Sequence, residues 1–233
     1  MNNKLDAIAY WSNITSEYGE IDAFHMGRYK RTQKFPSSAG SDRRYRLLAE
    51  EARIGSLRDD RPYWDLLLHI AAQKGELTED LLARASKSHP SKMQLLPVSA
   101  SEIRAGALRL VAQCSIDQVI VIASRVTLVN GQMKHFPMMD LRCGEGDVPL
   151  HSVKRLANWL LPGGYALFAS GRSYHLVGTE PVSASALSKF LVRSLYAGDL
   201  IDRKYVAHHL ERGFCTLRIS RSAQGSCPVW IQQ

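Results

Sequence analysis

Apolar residues keep helical spacing through much of the first hundred positions and turn to strand-like runs afterwards. Ile8, Trp11 and either Ile14 or Thr15 fall on one face of a first helix. DRRYRLLAEEARIGSL sets Tyr45, Leu48 and Ala52 on one stripe, and PYWDLLLHIAAQKG opens at Pro62 and stops at Gly75. SKSHPSKMQLLPVS, with two prolines and several serines, reads as a connector. The pattern therefore predicts a mostly helical region over 1–97 and a second region over 98–233.

In the second region Ser99 and Glu102 form a capping box for a helix running to about Gln113. QVIVIASRVTLV and MKHFPMMDLRC read as strands joined through Asn130-Gly131, a strong hairpin signal. HSVKRLANWLL is an amphipathic helix that ends at Pro162-Gly163-Gly164. YALFAS and SYHLVG flank a turn at Gly171, and SASALSKFLVRSLYAG is a serine-capped helix burying Leu187, Phe190, Leu191 and Leu195. GFCTLRIS and CPVWIQQ read as two closing strands joined by RSAQGS. This mixture predicts an α+β fold, with sheets covered by helices on one face.

Side chains two apart on a strand share a face. Asp140 and Arg142 then point one way, and Met139 and Leu141 the other, into the core. His175 shares a face with Ser173 and Val177, while Thr216 and Arg218 are the polar members of an otherwise apolar strand. Three strands thus each offer a polar face carrying Asp, His or Arg. Whether Ser170-Gly171-Arg172 is an ordinary hairpin turn or one that presents Ser, Arg and His to a phosphate depends on whether those faces coincide.

Composition narrows the partners. A 233-residue chain with 45% hydrophobic residues can bury a sizeable core. No run approaches about eighteen apolar residues, and MNNKLDAIAYWSN lacks a signal-peptide layout, so a cytoplasmic protein without a membrane partner is expected. Cys114, Cys143, Cys215 and Cys227 are scattered, which favours reduced thiols over a disulfide framework or a zinc site. The net charge of +8 is concentrated: His25 to Arg61 holds ten Lys/Arg against five Asp/Glu. Arg28, Lys30, Arg31, Lys34, Arg43, Arg44 and Arg46 there are interleaved with Tyr29, Phe35 and Tyr45, a pattern suited to phosphates and bases. The same run also reads as a solvated helix face beside the exposed loop KFPSSAGSD.

The second half resembles the archaeo-eukaryotic primase (primase-polymerase) superfamily as a divergent, primase-like member. FPMMDLRC is similar to its first motif, an hhhDhD strand; ASGRSYHLV to its second, an S-G-R-x-x-H-like hairpin; and LIDRKYVAHHLERGFCTLRIS to its third, an h-D followed by an Arg-bearing strand. The likeness covers roughly residues 100–233. It implies an RRM-like sheet core packed with helices and the chemistry of a nucleotidyltransferase. Asp140 and Asp202 would be the catalytic metal ligands for Mg²⁺ or Mn²⁺. Ser170, Arg172, His175 and Arg218 would contact a nucleoside triphosphate. Nucleic acid, as single strands or template–primer, and a helicase or other protein would be partners; the chain has no G-x-x-x-x-G-K-[ST] loop of its own.

Arg142 stands where the motif has its second acid. A guanidinium there repels a divalent ion and pairs with Asp140, or holds a phosphate directly as an anion binder. Glu145 and Asp147 compensate only if their loop folds back. Asp202 is either the acid of the third motif or a helix cap. Two readings stay open: a nucleotide- and nucleic-acid-binding subunit or accessory protein with degenerate two-metal chemistry, and an active primase-polymerase that makes primers or extends strands.

Overall fold

The computed structural model describes residues 6–30, 43–59, 61–86, 93–105, 117–221 and 227–231. Arg31, Lys34, Cys114, the loop KFPSSAGSD and the helix expected to reach Gln113 (beyond residue 105) lie outside these residues. The chain divides into two compact units, Arg31–Lys92 and the combination of Met1–Lys30 with Met93–Gln233.

The smaller unit contains α2 (Arg43–Asp59), α3 (Tyr63–Gln73) and α4 (Glu79–Ser86). The stripe expected on α2 is what it buries: Leu48 and Ala52 pack with Tyr63, Leu66, Leu67, Ala71 and Leu81, and Tyr45 lies at the edge. Pro62 precedes the first turn of α3, and Gly75, with φ of 69°, follows its last.

The larger unit is mixed α+β with two antiparallel sheets. β2 (Leu95–Ser99), β1 (Ile21–Lys30), β3 (Gln118–Leu128) and β4 (Met133–His135) pair in that order, and β8 (Thr216–Arg218) also pairs with β3. The second sheet runs β5 (Met138–Asp140), β7 (Tyr174–Gly178), β6 (Tyr165–Ala169), β9 (Val229–Ile231). Helices α1 (Ala7–Glu17), α5 (Ala100–Arg104), α6 (Asp147–Leu160), α7 (Ala184–Ser194) and α8 (Arg203–Arg212) complete it, with a 3-10 turn over Leu195–Leu200. The Ser99–Glu102 capping box is formed, and Asn130-Gly131 turns the β3–β4 hairpin with Gly131 at φ of 80°.

The sequence pattern assigns residues 1–97 to a mostly helical region. Residues 21–30 are instead a strand inside the first sheet. Register shifts between Ile21 and Ala23 and between Phe24 and Met26 spoil the alternation that would have marked it. Gly27 lies where a side chain would collide with Met93, so this strand carries a glycine for close approach. Helix α1 is equally integral. Trp11 meets Phe24 and Phe136 edge to face at 5.8 and 5.5 Å, and Tyr10 meets Phe168 at 5.0 Å.

Two further expectations change. MKHFPMMDLRC is two short strands in different sheets, because Pro137 brings no N–H to a ladder. The closing strands do not form a hairpin with each other: β8 pairs with β3 and β9 with β6. Among the described residues no helix is long and apolar enough to cross a membrane.

Trp11 is 2% exposed, and α1 joins residues of both sheets through it and Tyr10. Trp11→Ala should cost about 3–5 kcal/mol of stability in urea unfolding. A loss under about 1 kcal/mol would mean that α1 is not part of the folding core.

Candidate functional site

The site is assembled where the second sheet meets β8 and the segment before α8. In the β5–β7 ladder Asp140 is directly opposite His175. One residue further, Leu141 makes an isolated antiparallel bridge with Ile201, and the Arg142 amide donates to the Leu200 carbonyl at 2.9 Å. Antiparallel pairing around that bridge sets position 140 beside position 202.

Asp140 keeps 43% of its side-chain surface at the end of its strand. Burial, and then the charge of Asp202, push its carboxyl up to about 7, while Arg218 and Arg172 pull it back. Near neutrality it is shared between protonated and charged forms. His175 lies on the central strand between β5 and β6 and is buried, not placed on an open hairpin face. Burial, then Arg218, drive its imidazole down to about 3, so it is neutral near pH 7. Its Nε2 is 3.7 Å from Asp140 Oδ1, too long for a hydrogen bond, and a neutral ring makes no ion pair there.

Of the two descriptions left open for Asp202, the helix cap is the one formed. The residue is the N-cap of α8, its Oδ1 accepting the Lys204 and Tyr205 amides at 2.9 and 3.2 Å, and its charge also acts on Asp140. Arg142 is exposed just past the end of β5, and the cations that act on Asp140 are Arg218 and Arg172.

The hairpin turn is held from several sides. The Ser170 amide donates to the Ser173 carbonyl at 2.8 Å, and the buried Ser170 hydroxyl donates to the same oxygen at 3.0 Å. Ser173 Oγ donates to the Leu141 carbonyl at 2.6 Å, fastening the turn to the residue after Asp140. Arg218 donates to the Ser170 and Ser220 carbonyls, fixing β8 against the turn, and Arg172 is exposed at its tip. The loop carrying Glu145 does fold back. Glu145 Oε1 accepts the Gly171 amide at 2.7 Å, and the Gly146 amide donates to the Tyr174 hydroxyl at 2.9 Å. The signal for this is Glu145 between Gly144 and Gly146, a backbone free enough to return. Glu145 thus holds an exposed turn amide beside Arg172, a position suited to a phosphate oxygen.

The donor set fits the implied divalent ions only in part. Asp140 and Asp202 are adjacent carboxylates whose mutual repulsion a cation would relieve. Mg²⁺ is often held by one or two carboxylates with phosphate oxygens supplying the rest. Among the described residues no group of three or more His, Cys, Asp or Glu is arranged to hold a metal. Among the described residues these two acids would be the protein's donors to an ion shared with a triphosphate.

The basic stretch is partly self-neutralised. Arg53 pairs with Glu50, and Arg58 with Asp59 at 2.6 Å. Arg43, Arg44 and Arg46 are exposed in the opening turns of α2, whose first turn has no acid; Arg28 and Lys30 are exposed near the end of β1.

A protein-family model described as archaeo-eukaryotic primase 1D-like matches residues 102–229, more than half of the chain. No curated protein and no solved structure matches the chain significantly.

The proton held by Asp140 has a stability signature. The folded chain binds it more tightly than the unfolded one, so its contribution favours folding below the ordinary value of 3.8 and is lost as pH rises through about 7. Asp140→Asn should melt with the parent protein at the acid end. It should melt increasingly above it as pH rises, reaching a constant gain past neutrality. A melting offset independent of pH would remove the proposed burden on this carboxyl.

Proposed function

The chain belongs to the archaeo-eukaryotic primase 1D-like family, and we propose that it is a nucleotide- and nucleic-acid-binding protein of primase-like, RRM-like core. In this reading its two-metal chemistry is degenerate, and it acts as a subunit or accessory in nucleic-acid metabolism. The observation that carries the reading is the pair of guanidinium groups, Arg172 and Arg218, acting on a half-open Asp140 at the foot of the hairpin. Cations beside an acid that readily takes a proton make a site whose net charge favours phosphate.

Each residue has a role. Arg172 supplies a planar fork of donors to phosphate oxygens, with the Gly171 amide beside it once Glu145 moves off. Arg218 holds the turn and lends its charge, and Ser170 and Ser173 keep the turn in shape. His175 is a neutral spacer behind Asp140. Arg142, exposed at the rim, is a further anion contact. An ion held by Asp140 and Asp202 would shield the triphosphate charge.

A second reading, an active primase-polymerase, is favoured by one observation: Asp202 raises Asp140, as paired ligands for a cation would. Asp140 and Asp202 would then be catalytic. Strand extension with Mn²⁺ that Asp140→Asn abolishes would establish it over the first.

Arg172→Ala should weaken nucleoside triphosphate binding roughly ten- to a hundredfold in calorimetry, the loss of a charge-assisted bond. Without metal, affinity should fall as pH rises from about 6 to about 8, because Asp140 gives up its proton in that interval. Asp140→Asn should flatten that dependence. Parent-like affinity in Arg172→Ala would remove the hairpin from the site.

For the nucleic-acid part, Arg43→Ala, Arg44→Ala and Arg46→Ala together should weaken single-strand binding. They should also lower the slope of log affinity against log salt by about 0.7 for each phosphate no longer neutralised. An unchanged slope would make the opening turns of α2 a solvated face.

A further inference from the structure

Helices α6 and α7 pack against one another, and their outward sides carry rings and cations with little opposing charge. Trp159, in the last turn of α6, has 44% of its surface open, and the Arg193 guanidinium of α7 lies over its ring at 4.1 Å. One turn on, Tyr196 is 84% exposed. Arg155 precedes Trp159 by four residues, and Lys189, Arg193 and Tyr196 follow the same i, i+4, i+7 line; all are exposed. Between Val148 and Gly198 the sequence has five Lys/Arg and one acid, Glu180, with Asp147 and Asp199 just outside.

We propose that this α6–α7 face is a stacking platform for single-stranded nucleic acid. It deepens the nucleic-acid part of the function proposed above and rests on it. Two large rings held open in water have a reason to be there if flat, apolar faces come to them. Unstacked bases are such faces, and they arrive with phosphates that Arg155, Lys189 and Arg193 can neutralise. The Arg193 guanidinium already lies over the Trp159 ring, which orders both groups, and Arg193 stays exposed to a base or a phosphate. A duplex hides its base faces. An apolar protein partner would cover the same cations without supplying their counter-charge, and lysine is depleted from such interfaces.

The test uses the full chain and a fluorescein-labelled thymidine homopolymer, read by anisotropy over a range of salt. Trp159→Ala and Tyr196→Ala should each lower affinity about fivefold or more, since base stacking on one ring is worth at least about that factor. Lys189→Glu should reduce the salt slope by about 0.7. Because these side chains lie at the surface, thermal melts of all three variants should match the parent. Parent-like affinity and slope in all three, while the Arg43/Arg44/Arg46 variant loses binding, would overturn the platform and leave the function above intact. A parent chain that binds no single strand would overturn both. Affinity lost on Trp159→Ala but indifferent to salt would assign the face to an apolar partner instead and overturn the proposal.

Discussion

The chain passes from one sheet to the other across two residues, Phe136 and Pro137, and the arrangement of the site depends on that crossing. The Phe136 amide donates to the Ser124 carbonyl at 2.8 Å, which ends the first sheet's claim on the strand. The Pro137 carbonyl accepts the Gly178 amide at 2.7 Å, which starts the second. Phe136 is fully buried between Trp11, Tyr18 and Phe24, so the crossing cannot slide. A side chain at Gly178 would crowd the Pro137 ring at 3.0 Å, so the ring would have to give way by a few tenths of an ångström. From this anchor Asp140 is three residues away, and its pairing with His175 follows. A one-residue slip would turn it to the opposite face.

The electrostatics follow from the same placement. A carboxyl at the end of a short strand, next to a second carboxyl and near two guanidinium groups, is poised between charge states. The buried His175 beside it stays neutral and adds no charge of its own. Asp202 caps α8 through Oδ1 while its charge acts on Asp140, so the helix cap and the neighbouring charge are one residue. Arg218 ties β8 to the turn by bonding main-chain oxygens, which fixes the position of a charge whose other effect is on Asp140.

Much of this was legible in the residues, and the limits are instructive. The β6–β7 hairpin, the Asn130-Gly131 turn, the Ser99 cap and the α2 stripe are local signals, and local physics decides them. The gathering of Asp140, His175 and Asp202 was legible only through motif order, because ladder register is a long-range property. Strand β1 was hidden by its bulges, by Gly27 and by the charges at its end, which imitate a loop. The burial of His175 could not be read from alternation, since a central strand buries both of its faces. The return of Glu145 onto Gly171 needed two glycines to be taken as a hinge and not as filler.

The smaller unit enters the chain in an informative place. Residues 31–92 leave after Lys30 and rejoin at Met93, and the strands on either side, β1 and β2, are antiparallel neighbours with Gly27 opposite Leu95. Those sixty-two residues are therefore the loop of a β-hairpin grown into a helical body. Loop length weighs only logarithmically on closure, so such an insert can be exchanged for a tight turn, or for another body, at little cost to the ladder. The architecture is that of a cassette: what is carried between Lys30 and Met93 can be rewritten while both sheets are left as they are.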